Sequence, residues 1–149
     1  MRLISPLLLY VILALGSACS PDAATLTQQA DTGDAAAQLK LGSMYASGVG
    51  VAKDLLQAAV LFRKAADQGN PDAMYMLGLS YGAGRGVKQS WAESYTWLAV
   101  VATLTGANHQ KEYTKSRDEV ASWLTPSQLA EAQKRADEWV AEFQTRVKK

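Results

Sequence analysis

The stretch AQLKLGSMYASGVGV, residues 37–51, returns 36 residues later as AMYMLGLSYGAGRGV, residues 73–87. Seven of the 15 positions are identical, whereas about one would match by chance at average composition. The identical pairs are Ala37 and Ala73, Leu41 and Leu77, Gly42 and Gly78, Tyr45 and Tyr81, Gly48 and Gly84, Gly50 and Gly86, and Val51 and Val87. A fixed period of this length is typical of a repeat architecture, and we predict that the recurring residues form its packed scaffold.

Each repeat unit has the pattern of two antiparallel helices joined by a glycine loop. Ala37, Leu41 and Tyr45 fall at i, i+4 and i+8, which places them on one stripe of a first helix. A second helix is predicted to open at Asp54 in the first unit and at Ser90 in the second. Each of these residues is followed three positions on by Gln or Glu, a capping-box pattern.

Gly42 and Gly78 lie inside the predicted first helices, where glycine costs about 1 kcal/mol relative to alanine. This cost is accepted at the same register in both units. The pattern therefore indicates a close backbone approach between the two helices of each pair.

The repeat decays after Gly106, although a third helix pair is still predicted. Its first helix runs from about Asn108 to Leu124, and a capping box at residues 125–128 opens a last amphipathic helix. We expect this helix to be a C-terminal cap, because a solenoid must cover its last face. The alternative is a helix that binds a partner or a membrane surface.

These patterns predict an all-α fold, a short right-handed α-solenoid of antiparallel helix pairs with C-terminal capping helices. Residues 19–106 are expected to hold two repeats and a preceding half-repeat. Residues 107–149 are expected to hold a degenerate repeat and the capping helix.

The repeated motif resembles the Sel-one-like repeat family, relatives of the tetratricopeptide repeats. The family pattern is roughly A-x-Y-x-L-G-x-x-Y-x-x-G-x-G-V followed by K-A-A-x-x-G. Residues 73–87 follow the first part throughout, residues 37–51 follow it except for Leu39 at the tyrosine position, and residues 64–69 follow the second part. The second unit departs from the pattern where its second helix ends, at residues 100–102. The resemblance implies an adaptor solenoid for protein–protein interaction, often exported in bacteria, with no shared catalytic residues.

The N-terminus has the pattern of a bacterial secretory signal peptide over residues 1–18. A charged end with Arg2 precedes nine apolar residues and a small-residue region, and the apolar run is too short to span a membrane. Cys19 follows Gly-Ser-Ala, which resembles a lipobox and predicts lipid attachment at Cys19. Gly16 stands where the lipobox usually has Leu, and the same residues would suit ordinary cleavage near Ala18.

Composition excludes several classes of function. The full chain has 149 residues, 15 basic and 14 acidic, and a formal net charge of +1, so it lacks the basic field of a nucleic-acid-binding protein. One cysteine and one histidine exclude an internal disulfide framework, a thiolate zinc cluster and a multi-histidine metal site. We therefore expect no metal and no cofactor.

One face of the first helices differs between the two units and is the hypothesised binding face. Positions 36, 40, 43 and 47 share no residue with positions 72, 76, 79 and 83, and the first helices line the concave side of such solenoids. The residues named for this face are Lys40, Ser43, Asp72, Met76 and Leu79. Alternatively, the C-terminal helices cover Met76 and Leu79.

Four tryptophans, at positions 91, 97, 123 and 139, are expected in the core, and His109 is expected at a surface or capping position. No nucleophile–base motif or metal site marks an enzyme. The predicted function is a non-catalytic adaptor or scaffold of the bacterial envelope, periplasmic and anchored to the outer membrane as a lipoprotein. Its expected partner is an unknown protein, with no nucleic acid and no membrane contact except the anchor at Cys19. The alternatives are a soluble periplasmic or secreted form, including an effector that binds a host protein, and a small envelope hydrolase.

Overall fold

The computed structural model describes residues 21–105 and 110–149. Every regular element in these ranges is an α-helix, as predicted. The helices are α1 (Pro21–Asp31), α2 (Ala35–Ser47), α3 (Leu55–Asp67), α4 (Pro71–Ala83), α5 (Trp91–Leu104), α6 (Gln110–Ala121) and α7 (Pro126–Val147). The predicted signal peptide, Cys19 and His109 lie outside the described residues. None of the described helices has the length and apolar character needed to cross a membrane.

The second helices begin where the sequence predicts. A side-chain oxygen of Asp54 accepts from the backbone N–H of Gln57 at 3.0 Å, and Ser90 accepts from the N–H of Glu93 at 3.2 Å. These are N-caps, which satisfy helix donors that lack an intrahelical partner.

The predicted capping boxes at Asp54 and Ser90 are only half formed. Instead of bonding a side chain three residues on, the backbone N–H of Asp54 donates to the carbonyl of Tyr45 at 2.9 Å. The N–H of Ser90 donates to the carbonyl of Tyr81 at 3.0 Å. Each bond ties the second helix back to the first. The box at Thr125 is complete, since Gln128 both donates to and accepts from that cap.

The glycine loops reverse the chain between the helices of a pair. Gly48 and Gly84 end α2 and α4 with φ of +80° and +65°, values that L side chains rarely adopt. Gly86 has φ +70°, and a Cβ there would lie 1.8 Å from the carbonyl oxygen of Leu55. The loop of the second unit therefore lies directly on the start of α3 in the first unit.

The helices form two layers of an α-solenoid. Paired helices contact each other, α2 with α3 and α4 with α5, and successive pairs meet through α3 with α4 and α5 with α6. The helix α1 packs on α2, and α7 packs on α5. The layer of α2, α4 and α6 is called the first-helix layer below, and that of α3, α5 and α7 the second-helix layer.

The mid-helix glycines allow the helices of each pair to approach. A Cβ at Gly42 would lie 2.8 Å from the ring of Phe62 on α3, and one at Gly78 would lie 3.0 Å from Leu98 on α5. Phe62 and Leu98 are 1% and 0% exposed. Ala37, Leu41, Ala73 and Leu77 are also buried, while Tyr45 and Tyr81 are half-buried.

The C-terminal part differs from the prediction at two points. The helix α6 ends at Ala121 rather than Leu124, because Thr125 adopts an extended N-cap conformation before Pro126, which disfavours helix in the preceding residue. Trp123 lies in the resulting turn and is 51% exposed, so its predicted place in the core is wrong. Its ring packs on Trp91, with centroids 4.4 Å apart. Trp97 is buried, and Trp91 and Trp139 are half-buried.

Candidate functional site

The hypothesised binding face lies on the first-helix layer. Lys40 and Ser43 on α2 are exposed, as is Leu79 on α4, whose exposed fraction is 40%. Met76 on α4 is half-buried and packs against the main core. These four side chains are therefore placed on two helices of the first-helix layer, with Leu79 as the exposed apolar member.

Asp72 lies at the start of α4, the helix that carries Leu79, and forms a hydrogen bond with a residue of another helix. The hydroxyl of Tyr113 on α6 donates to the carboxylate of Asp72 at 3.1 Å. The ring of Tyr113 lies 5.0 Å from that of Tyr75, centroid to centroid. Burial, together with the hydrogen bond to Asp72, raises the pKa of Tyr113 to about 12. Asp72, which is exposed like Lys40, Ser43 and Leu79, therefore also helps to join α4 to α6.

A first groove opens between the two repeat units, beside Leu79. Its volume is about 280 Å³. Most of the lining residues are apolar, and two are basic, Lys53 and Arg85. The lining residues are Ala46, Lys53, Leu55, Ala58, Phe62, Met76, Leu79, Ser80 and Arg85.

A second groove opens on the other side of α4, between the second unit and α6. Its volume is also about 280 Å³. It carries one acidic residue, Glu119, and the exposed ring of Trp123. The lining residues are Leu79, Gly82, Ala83, Trp91, Ser94, Leu98, Ser116, Glu119, Val120 and Trp123.

The two grooves are equivalent features of successive repeat units. Ala46, Leu55, Ala58 and Phe62 of the first groove correspond, at the 36-residue shift, to Gly82, Trp91, Ser94 and Leu98 of the second. Leu79 lines both grooves. The solenoid therefore presents two adjacent grooves with an exposed leucine between them.

The C-terminal helix lies away from these grooves. The helix α7 packs on α5, where the hydroxyl of Tyr95 donates to Gln133 at 2.6 Å and Arg135 pairs with Glu93. Near its end, Arg146 donates to the carbonyl of Asp67 at 3.1 Å. The helix thus packs within the second-helix layer, beside α5, and leaves Leu79 exposed. The helix α6 flanks Leu79 across the second groove without covering it.

Sequence reasoning missed the charged residues of the first groove. Lys53 precedes the N-cap of α3, and Arg85 lies between Gly84 and Gly86 in the next unit's loop. Arg85 occupies the position at which the first unit has Val49. This difference between the two glycine loops is the sequence signal that could have identified Arg85 as a binding residue. Within residues 21–105 and 110–149, no group of three or more His, Cys, Asp or Glu residues is placed to hold a metal ion.

The Sel1 repeat family model matches residues 35–70 and 71–100, the two units that carry both grooves' repeat-related residues. No curated protein sequence matches the chain.

The solved structures that are similar to the chain include the following two. One is c5321, described as a protective antigen present in uropathogenic Escherichia coli strains and displaying an SLR fold. It is 30% identical, with a TM-score of 0.76 over 90% of this chain. The other is a Sel1 repeat protein from Oxalobacter formigenes, 24% identical, with a TM-score of 0.55 over 76% of this chain. The chain spans 28% and 47% of the lengths of these two proteins. Residues 35–100 of the chain therefore contain two Sel1 repeats, within a fold that the two solved structures share.

Proposed function

We propose that this protein is a non-catalytic interaction module, an adaptor or scaffold of the bacterial cell envelope, that binds a partner protein on its first-helix layer. The observation that carries the proposal is the position of Leu79, which is 40% exposed between two adjacent grooves. Residues at the centre of a protein interface pack into desolvated pockets, and an apolar side chain between two grooves is placed to take part in such packing. Lys40 and Ser43 extend the same face onto α2.

The family supports an interaction role. Sel1 repeats are generally protein–protein interaction modules, and the repeats of a solenoid create an extended concave surface for such partners. In this chain one wall of each groove is built from the same repeat-related positions, so that part of the recognition surface follows from the fold itself.

The proposed place of action is the cell envelope, with the chain exported and anchored in the outer membrane through a lipid at Cys19. The N-terminal signal pattern supports export. Metabolic labelling with palmitate tests the anchor. Label on the wild type that is lost in Cys19→Ala supports it, whereas an unlabelled wild type removes it and favours a soluble periplasmic or secreted protein.

The second candidate function is a secreted effector that binds a host protein through the same face. The N-terminal pattern favours it, because ordinary cleavage near Ala18 would leave the exported chain without a lipid anchor. Fractionation of the native cells separates the two candidates: protein in the culture medium supports the effector, and protein confined to the envelope supports the adaptor.

A matched pair of leucine substitutions tests the binding face. Leu79→Glu places a charge between the grooves, whereas Leu56→Glu places the same charge on α3 in the second-helix layer, where Leu56 is 61% exposed. Both sites are open, so neither variant should lose much stability. Met76 is unsuitable because it packs against the core.

We expect Leu79→Glu to abolish the crosslinked complex formed by the protein in its native cells, and Leu56→Glu to retain it. Thermal unfolding of both purified variants should remain within a few degrees of the wild type. Equal capture by the two variants, or loss by Leu56→Glu alone, would place the interface elsewhere.

A further inference from the structure

We infer that the first groove binds an acidic peptide segment of the partner, in which a large apolar side chain is next to one or more carboxylates. The inference rests on the proposed function, because it assigns a chemistry to the same face. It is carried by the charges at the groove and by a comparison that the repeat itself provides.

The first groove combines an apolar floor with two cations. Met76 and Leu79 supply the accessible apolar surface, next to the buried ring of Phe62, and Lys53 and Arg85 are exposed beside them. No carboxylate lines this groove. In the part of the chain that the structure describes, neither cation takes part in an ion pair. Both positive charges are therefore available to a ligand.

The scaffold does not need either cation, as the second unit shows for Lys53. Its counterpart at the 36-residue shift is Gln89. A Cβ added at Gly48 would lie 3.1 Å from the Cβ of Lys53, and one added at the equivalent Gly84 would lie 3.3 Å from the Cβ of Gln89. The two residues thus occupy the same place in the loop. Gln89 uses its amide to bond the carbonyl of Gly82 at 2.9 Å, a neutral structural role.

The scaffold does not need the charge of Arg85 either, as the first unit shows. Its counterpart in the first unit is Val49, so the glycine loop forms without a charge at this position. The second groove has neither cation and carries Glu119 instead. Of the two equivalent grooves, only the first is therefore lined by basic residues.

These features favour a peptide with neighbouring apolar and acidic groups. An apolar side chain would enter the groove over Phe62, while a carboxylate at its edge would be within reach of both the lysine and the arginine. Complementary charges at an interface rim raise the association rate and discriminate between partners, and their effect falls as salt shortens the Debye length from about 10 Å at 0.1 M.

Selection from a phage-displayed library of random peptides on the purified chain tests the inference. We expect enriched peptides to contain Asp or Glu beside a large apolar residue. Affinity of an enriched peptide should fall by roughly tenfold in the double variant Lys53→Glu and Arg85→Glu, and should weaken with added salt. Lys64→Glu, an equally exposed charge reversal on α3, is the control and should leave the affinity unchanged.

Three results would overturn the inference: enrichment of neutral or basic peptides, no enrichment at all, or equal affinity for the double variant and the wild type. Failure here is distinguishable from failure of the proposed function. If Leu79→Glu still abolishes the native complex, the face binds a partner of another chemistry. If Leu79→Glu leaves the complex intact, the face itself is wrong.

Discussion

Gly86 shows at the scale of one residue why the repeat motif keeps its glycines. The residue has φ +70°, and its missing side chain leaves room for the carbonyl of Leu55, which belongs to the preceding unit. A backbone neighbour cannot rotate aside as a flexible side chain can. Gly86 therefore serves both the turn of its own unit and the contact between units.

Gly86→Ala should lower the free energy of unfolding by at least about 2 kcal/mol more than Gly33→Ala. Gly33 is the matched control, since its φ is +97° but a Cβ there would meet no neighbouring atom within 4 Å. It should incur only the left-handed strain of about 1 kcal/mol. Urea unfolding of both variants measures the difference, and equal losses would contradict the close contact between units.

Tyr113 should make stability depend on alkaline pH. Its pKa in the folded chain is about 12, raised by burial and by the hydrogen bond to Asp72, whereas an unfolded tyrosine has a pKa of about 10. A raised pKa contributes stability that is fully present below pH 10 and is lost as pH rises toward 12. Burial also raises the pKa of Tyr95, so two tyrosines contribute to this loss.

Urea unfolding at a series of pH values from neutral to strongly alkaline checks this expectation. The wild type should lose stability above about pH 10, and Tyr113→Phe should lose it less steeply. Part of the pH dependence should remain in this variant, because the pKa of Tyr95 is also raised by burial. A variant that follows the same pH dependence as the wild type would show that Tyr113 is not held neutral by the fold.

Individual residues were predicted well where the signal is local. Asp54 and Ser90 cap helices as expected, because the cap contacts an N–H only three residues away. The prediction for Trp123 was wrong because α6 ends at Ala121, before this residue, which leaves Trp123 in an exposed turn. The hydrogen bond between Asp72 and Tyr113 spans 41 residues and has no sequence signal.

Among the elements, α7 is held at its far end as well as along α5. The ring of Phe143 covers Gly69, where an added Cβ would lie 2.2 Å from its Cζ, and stacks on Trp139 with centroids 5.1 Å apart. This end of the helix therefore reaches back to the turn between α3 and α4. The contact links the C-terminus to the first repeat unit.

Phe143→Ala should lower the free energy of unfolding by about 2 kcal/mol, because it removes a half-buried ring from this contact. Val147→Ala on the same helix is the control, since Val147 is 69% exposed and should cost less than about 0.5 kcal/mol. Thermal or urea unfolding provides the comparison. Similar values for the two variants would show that the end of α7 is not anchored.

The helices themselves were largely predictable, and their packing partners were only partly so. Periodicity and capping residues located all four helices of the two repeat units, since both signals act over a few residues. The last helix was expected to act as a cap, and it does pack on α5. Its choice of the second-helix layer depends on shape complementarity over its whole length, which periodicity does not encode.

At the scale of the whole molecule, repetition produces a surface that no single unit has. Each groove needs residues from two successive units, as Lys53 and Arg85 illustrate. The sequence indicated Leu79 because it varies between units on an exposed helix face. It did not indicate the grooves beside Leu79, because their walls are set by the spacing between units.

The central claim is that the first-helix layer, and not the second, meets the partner. Site-specific photocrosslinking in the native cells tests it most directly, with a photoreactive residue at position 40, 43 or 79 in the first-helix layer, or at position 56 or 60 on α3. All five side chains are exposed, so accessibility is matched. We predict one discrete crosslinked partner from positions 40, 43 and 79 and none from 56 and 60. The reverse pattern, or the same adduct from both sets, would contradict the account.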